Sequence, residues 1–98
     1  MRIRFEWDPQ KAAGNLCKHR ISFEVAVRVF LDPLRMTEVD QIIEGEVRWK
    51  TLGFVDSLVS LVVIHTVKET FEGEEWIRII SARRATRAER RCYEEENG

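Results

Sequence analysis

The sequence predicts an α+β domain: an antiparallel sheet of four to five strands, two helices before it and one after. Three observations lead there. Two helix starts, Asp8-Pro9 and Ser22, fall early in the chain. From Leu34 onward the pattern changes to strand-like runs broken by the pairs Glu44-Gly45, Asp56-Ser57 and Glu72-Gly73. Thr86-Arg87-Ala88-Glu89 then has the form of a capping box, with Thr at the N-cap and Glu three residues on.

Residues 2–7 form the first strand in this reading, with Ile3, Phe5 and Trp7 on one face. Asp8 suits an N-cap and Pro9 the first helical position, where its missing N–H costs nothing. The helix carries Ala12, Ala13, Leu16 and Cys17 on one side and stops near His19-Arg20. Ser22 caps the second helix. Phe23, Ala26, Val27 and Phe30 recur at helical spacing, so Phe23, Val27 and Phe30 are expected in the core. Asp32-Pro33 ends it, because a residue before proline disfavours the helical region. Met36–Ile43 and Glu46–Val55 read as strands. Residues 58–67 are apolar on both faces, as in a central strand, and residues 76–82 form a further one. Leu61, Val63 and Ile79 are the expected sheet side of the core. Strands joined by short turns pair antiparallel, and helices gathered on one face make a two-layer domain. A last helix runs to about Glu95.

The 98 residues suit one domain, 1–98, with a core too small to enclose a large substrate chamber. Chemistry is therefore expected on an open face or shallow groove. No apolar run approaches the ~20 residues of a membrane helix. Charges stand where a signal peptide would be apolar. Cys17 and Cys92, 75 positions apart, suggest two reduced thiols in a cytoplasmic protein. The formal net charge of -1 hides an uneven layout: residues 38–75 hold nine acidic and three basic side chains, residues 76–91 six arginines and one glutamate. That balance argues against a general nucleic-acid coat protein and for a local anion site.

The strongest local signal is the run Ile77 to Arg87. Its strand delivers Arg78, Arg83 and Arg84 to a helix start that adds Arg87, and guanidinium forks bind phosphate bidentately. Strict alternation puts Arg78 and Arg84 on the face opposite Arg83. The alternative is a solvated basic edge paired with Glu72, Glu74 and Glu75. Lys18-His19-Arg20 can serve a helix C-terminus through the macrodipole or form a phosphate clamp. His65 lies among apolar neighbours, either as a hydrogen-bonded core residue or as an acid or base. Tyr93 is core material or a platform for a base. No P-loop, nucleophile elbow or dinucleotide turn is present, and the Cys and His spacings match no metal site, so no cofactor is expected.

Phe5-Glu6-Trp7-Asp8, Lys11, Asn15, Lys18-His19, Ser22-Phe23-Glu24 and Val29-Phe30-Leu31-Asp32-Pro33 resemble the opening of the BrnT family. Ile79-Ile80-Ser81-Ala82-Arg83-Arg84-Ala85-Thr86, with Glu89 and Tyr93, resembles its ending. Arg20 stands where that family often has Gly, so this backbone position must accept a side chain in the left-handed cap region or turn differently. The Lys68–Glu75 turn is longer and more acidic than is common in the family. The resemblance implies a RelE-like fold and the toxin of a type II toxin–antitoxin system. It implies a metal-independent endoribonuclease that blocks translation and growth. Its partner would be a BrnA-like ribbon-helix-helix antitoxin, which would carry the DNA contacts and cover Arg83 and Arg84. On this reading Arg83 and Arg84 clamp phosphate, His65 is the acid or base with Lys18 or His19 assisting, and Arg78, Arg87 and Tyr93 bind RNA. The competing reading is a non-catalytic module that sequesters a partner protein.

Overall fold

A computed structural model describes residues 2–97. Strand β1 (Arg2–Trp7) leads into helix α1 (Pro9–His19), a single turn α2 (Phe23–Ala26) and a 3₁₀ turn (Val27–Leu31). Strands β2 (Met36–Ile43), β3 (Glu46–Val55), β4 (Val59–Glu69) and β5 (Glu74–Arg84) follow, then helix α3 (Arg87–Asn97). The sheet order is β1-β5-β4-β3-β2. Consecutive strands β2 to β5 pair antiparallel through tight turns. Both residues of the two-residue Glu44-Gly45 turn have positive φ, as such a hairpin requires, and Asp56 and Ser57 also have positive φ within the three-residue turn that joins Val55 to Val59.

The expectation of a purely antiparallel sheet is corrected by β1, which runs parallel to β5. Short-turn reasoning applies to consecutive strands only. The chain leaves β1 through two helices and re-enters the sheet at the opposite edge. A second correction concerns the layers. Helices α1 and α2 pack on one face, over a core of Phe23, Ala26, Val29, Leu61, Val63, Ile77, Ile79 and Ala82. Helix α3 lies against the other face, where Tyr93 joins Leu52 and Val62 in a smaller cluster.

The caps form as their residues dictate. The Asp8 side chain accepts from Gln10 N, and Ser22 Oγ accepts from Val25 N. Arg20 ends α1 in the left-handed region at φ 60°. The second helix tightens into a 3₁₀ turn after one turn, which rotates its inner face: Val29 is fully buried, while Val27 and Phe30 are half-buried rather than central. The inner face of α1 is likewise not its apolar one. Ala13, Leu16 and Cys17 are exposed, and buried Asn15 faces the sheet. Asn15 Nδ2 donates to the carbonyls of Ile21 and Ala82, both at 2.9 Å, and its Oδ1 accepts from Ala82 N at 3.0 Å. One side chain thus ties α1 to β5 and to the α1–α2 turn.

Candidate functional site

Two β-bulges decide which side chains share a face. Between β4 and β5 the register passes from Ile64↔Ser81 to His65↔Ile79, so Ile80 is an extra residue. Ile77, Ile79 and Ala82 consequently all reach the main core. Arg78 and Arg83, assigned to opposite faces by strict alternation, fall on the same one. Asp40 is the corresponding extra residue in β2.

The face carrying α3 is rich in cations. Lys50 pairs with Ile64 and, like Arg48, points away from the core side that Trp49 and Thr51 occupy. Arg78 and Arg83 extend this face along β5. Sequence reasoning missed Arg48 and Lys50. The available signal was their shared parity within β3, opposite to Trp49 and Thr51. Arg48 is half-buried, and its Nε is buried without a hydrogen-bond partner among the described residues. A desolvated donor with no acceptor is costly and marks a place where an acceptor would be held. Arg78 is exposed, its Nη1 3.5 Å from Glu6.

Arg83 is held from one side. Its Nη1 and Nη2 donate to Glu89 Oε1 and Oε2 at 2.8 and 3.0 Å, and Nη1 also donates to Arg84 O. Lys50 Nζ lies 3.5 Å from the same carboxylate and 3.2 Å from Glu38. Glu89 also completes the capping box: Thr86 N donates to its Oε1, and Glu89 N donates to Thr86 Oγ1. The Arg83 fork, then burial acting in opposition, then the Thr86 amide and the charges of Arg83 and Lys50 set the Glu89 carboxyl, whose pKa falls to about 2. Glu89 is therefore ionised at neutral pH. It occupies the end of the Arg83 guanidinium. The Nε edge has no protein acceptor among the described residues, and a side-on pair of N–H groups is still available to an oxyanion there.

The remaining candidates are dispersed. Arg84 is exposed at the end of β5 and lines a shallow cleft with Leu58, Ser60 and Arg90. Arg87 is exposed at the start of α3. Lys18 and His19 end α1, on the face opposite Lys50 and Arg83, so the structure does not bring them to that cluster.

His65 is 2% exposed, in the main-core face beneath Phe30. With its Nδ1–H donating to Thr66 O, its Nε2 accepts from the Thr51 hydroxyl at 2.7 Å, and Thr51 Oγ1 lies 2.8 Å from Thr37 Oγ1. Burial pushes its pKa down, against the Thr66 contact. Its strand register places this imidazole on the sheet face opposite Lys50 and Arg83.

Tyr93 is buried, which corrects its reading as a base platform. Its hydroxyl donates to Asp32 Oδ2 at 2.7 Å, and its ring meets Phe54 edge-on. Asp32 also accepts from Phe54 N and Leu34 N. Burial raises the Asp32 pKa, but these hydrogen bonds outweigh it and leave the group below its ordinary value. Burial first, then the Asp32 contact, raises the Tyr93 pKa to about 12. The pair pins α3 to the end of the 3₁₀ turn.

Among the described residues no three His, Cys, Asp or Glu side chains converge where a metal ion could sit. No described helix is long and apolar enough to cross a membrane.

Fold and site together define a small α+β protein with a mixed five-stranded sheet, one face packed by α1 and α2 and the opposite, α3-bearing face dense in Arg and Lys. The family model described as the ribonuclease toxin BrnT of type II toxin–antitoxin systems matches residues 7–89, and the chain belongs to that family. Its fold is similar to that of the Brucella abortus ribonuclease toxin BrnT, known from a 1.1 Å crystal structure. The TM-score is 0.59 at 23% identity, over 89% of this chain and all of that one. No curated protein matches the sequence.

Proposed function

We propose that this chain is itself an active endoribonuclease and that the α3-bearing sheet face is where it holds RNA. The observation that carries the reading is the arrangement of Arg48, Lys50, Arg78 and Arg83 on that one face, with the Arg48 Nε buried and unpartnered. The ribose 2′-hydroxyl, losing its proton to solvent, attacks the adjacent phosphorus; the P–O5′ bond breaks to leave a 2′,3′-cyclic phosphate and a 5′-hydroxyl protonated from solvent, and negative charge grows on the phosphoryl oxygens and the leaving 5′-oxygen on the way. Fixed guanidinium and ammonium groups stabilise that charge without a metal ion. Glu89 holds Arg83 and Lys50 in place from the α3 side. With a pKa of about 2 it is too weak a base to take the 2′-hydroxyl proton near neutrality. His65 is assigned to the core, not to proton transfer.

The same reading makes the protein a cytoplasmic toxin that blocks translation by cleaving RNA in the RelE-like manner. A BrnA-like, ribbon-helix-helix antitoxin neutralises it and supplies the DNA contacts. Inducible expression with and without the product of the adjacent gene tests this. Growth arrest with RNA fragmentation, relieved by co-expression, is expected. Growth arrest with intact RNA would favour the sequestering module instead.

A further inference from the structure

A second group of cations stands where β5 passes into α3. The turn between β3 and β4, the end of β5 and the start of α3 border a cleft of about 280 Å³ there. Its floor is Phe54 and Ser60, cross-strand partners, with Ala85. Exposed Leu58, Arg84 and Arg90 form its rim. No carboxylate lines it. The neighbouring cluster is different, because its charges are already matched. Arg83 and Lys50 share Glu89, Lys50 also meets Glu38, and Arg78 meets Glu6. Arg84 and Arg90 form no ion pair among the described residues. They directly follow Arg83 and Glu89 in the chain, so the cleft adjoins that cluster.

Ser60 adds a neutral donor. It is 6% exposed, and its carbonyl accepts from Ala85 N at 3.0 Å. Its hydroxyl has no hydrogen-bond partner among the described residues and borders the cleft. A nearly buried hydroxyl without a partner is a place for an acceptor. Helix α3 gives an independent sign. A helix favours anions near its N-terminus and cations near its C-terminus. In α3 the order is reversed: Arg87, Arg90 and Arg91 accompany a single Glu89 in its first half, and Glu94, Glu95 and Glu96 stand near its end. An anion seated between Arg84 and Arg90 offsets that arrangement. We propose that the cleft of Ser60, Arg84 and Arg90 is a second phosphate subsite, which grips a backbone phosphate of the RNA beside the one being cleaved. The two guanidinium groups supply charge-assisted donors and the Ser60 hydroxyl a neutral one. Leu58, 85% exposed, offers an apolar edge to the attached nucleoside. The subsite rests on the proposed function for RNA as its ligand, and it serves binding rather than bond breaking.

The test uses the full chain with two single-stranded RNA probes, a dinucleotide with a single phosphate and a hexanucleotide. Affinity is titrated at several salt concentrations, and cleavage is followed in parallel. The hexanucleotide should bind the wild type more tightly than the dinucleotide. Arg90→Ala should lower hexanucleotide affinity ~10-fold, the loss of one charge-assisted contact. KM should rise by the same factor, with kcat at saturating RNA unchanged, and the salt slope should become shallower by about 0.7. Ser60→Ala should lower affinity less, by ~3-fold. Dinucleotide affinity should be the same in wild type and Arg90→Ala, which damage to the fold would not give. Unchanged hexanucleotide affinity and slope in Arg90→Ala would overturn the subsite and leave the ribonuclease reading intact. Equal losses for the two probes would overturn it as a site separate from the cleavage site. Wild type that binds the hexanucleotide with this Arg90 dependence but cleaves neither probe would support the subsite and overturn the ribonuclease reading. Weaker binding of the product of the adjacent gene to Arg90→Ala, with RNA affinity unchanged, would overturn it in favour of a carboxylate of that protein.

Discussion

Glu89→Gln isolates the carboxylate that organises the cationic face. The side chain is 19% exposed, and its pKa is lowered from 4.5 to about 2. By linkage a shift of that size corresponds to at most ~3 kcal/mol of folding stability. Arg83 is 38% exposed, so solvent screening reduces the expected contribution to ~1–2 kcal/mol. Glutamine can still serve the capping box, which leaves the charge as the main difference. The folded state binds this proton more weakly than the unfolded chain does. The increment is therefore fully present above pH 4.5 and is lost as pH falls towards 2. Urea unfolding at pH 7 should show a midpoint ~0.5–1 M lower for Glu89→Gln. The difference between the two proteins should shrink steadily below pH 4.5. A constant difference from pH 7 to pH 2.5, or none at pH 7, would refute the argument that the Arg83 fork binds an ionised Glu89.

Asn15→Ala removes three buried hydrogen bonds and strands the Ala82 N–H and C=O, so thermal or urea unfolding should show a loss of ~3–4 kcal/mol; a loss below ~1 would mean that water replaces the side chain without penalty. His65 is held neutral by burial, so its contribution is present above the unfolded pKa near 6.5 and declines as pH falls below it. A His65→Gln variant should lack that segment of the pH–stability curve, and RNA cleavage by wild type should show no inflection belonging to His65. Arg20→Gly relieves a left-handed backbone at φ 60° and should raise stability by ~0.5–1 kcal/mol, read as a higher melting temperature.

Elements announced by local chemistry were legible from the sequence. Asp8, Ser22 and Thr86 start their helices because each places an oxygen over unsatisfied amides, and the Glu44-Gly45 and Asp56-Ser57 hairpins follow from residues that accept positive φ. Long-range pairing was not legible. Nothing in residues 2–7 states that they add parallel to a strand about seventy positions away. The Ile80 and Asp40 bulges leave no mark in the residue pattern, yet they decide that Arg78 joins Arg83 and that Val39 joins Ile42. The Arg83 signal was visible as a basic run at a helix start. Its tether to Glu89 needed the bend between β5 and α3. Arg48 and Lys50 read as strand residues, because only the folded α3-bearing face brings their charges together with Arg78 and Arg83. Tyr93 and His65 show the converse: each carries a reactive group, and burial gives it a structural partner, Asp32 or Thr51.

The most direct test of the central claim is cleavage of a single-stranded RNA by the purified chain in EDTA, with the wild type compared with Arg83→Ala and Arg48→Ala after both are shown to fold. The account predicts cleavage without added metal, and a rate at least ~100-fold lower in Arg83→Ala, in line with losing one donor that stabilises the transition state. Log affinity for the RNA should fall with log salt, and the slope should be shallower by about one phosphate contact in each variant. Equal rates and equal slopes in all three proteins would contradict the assignment of the α3-bearing face, and activity that disappears in EDTA and returns with magnesium would contradict the metal-free chemistry.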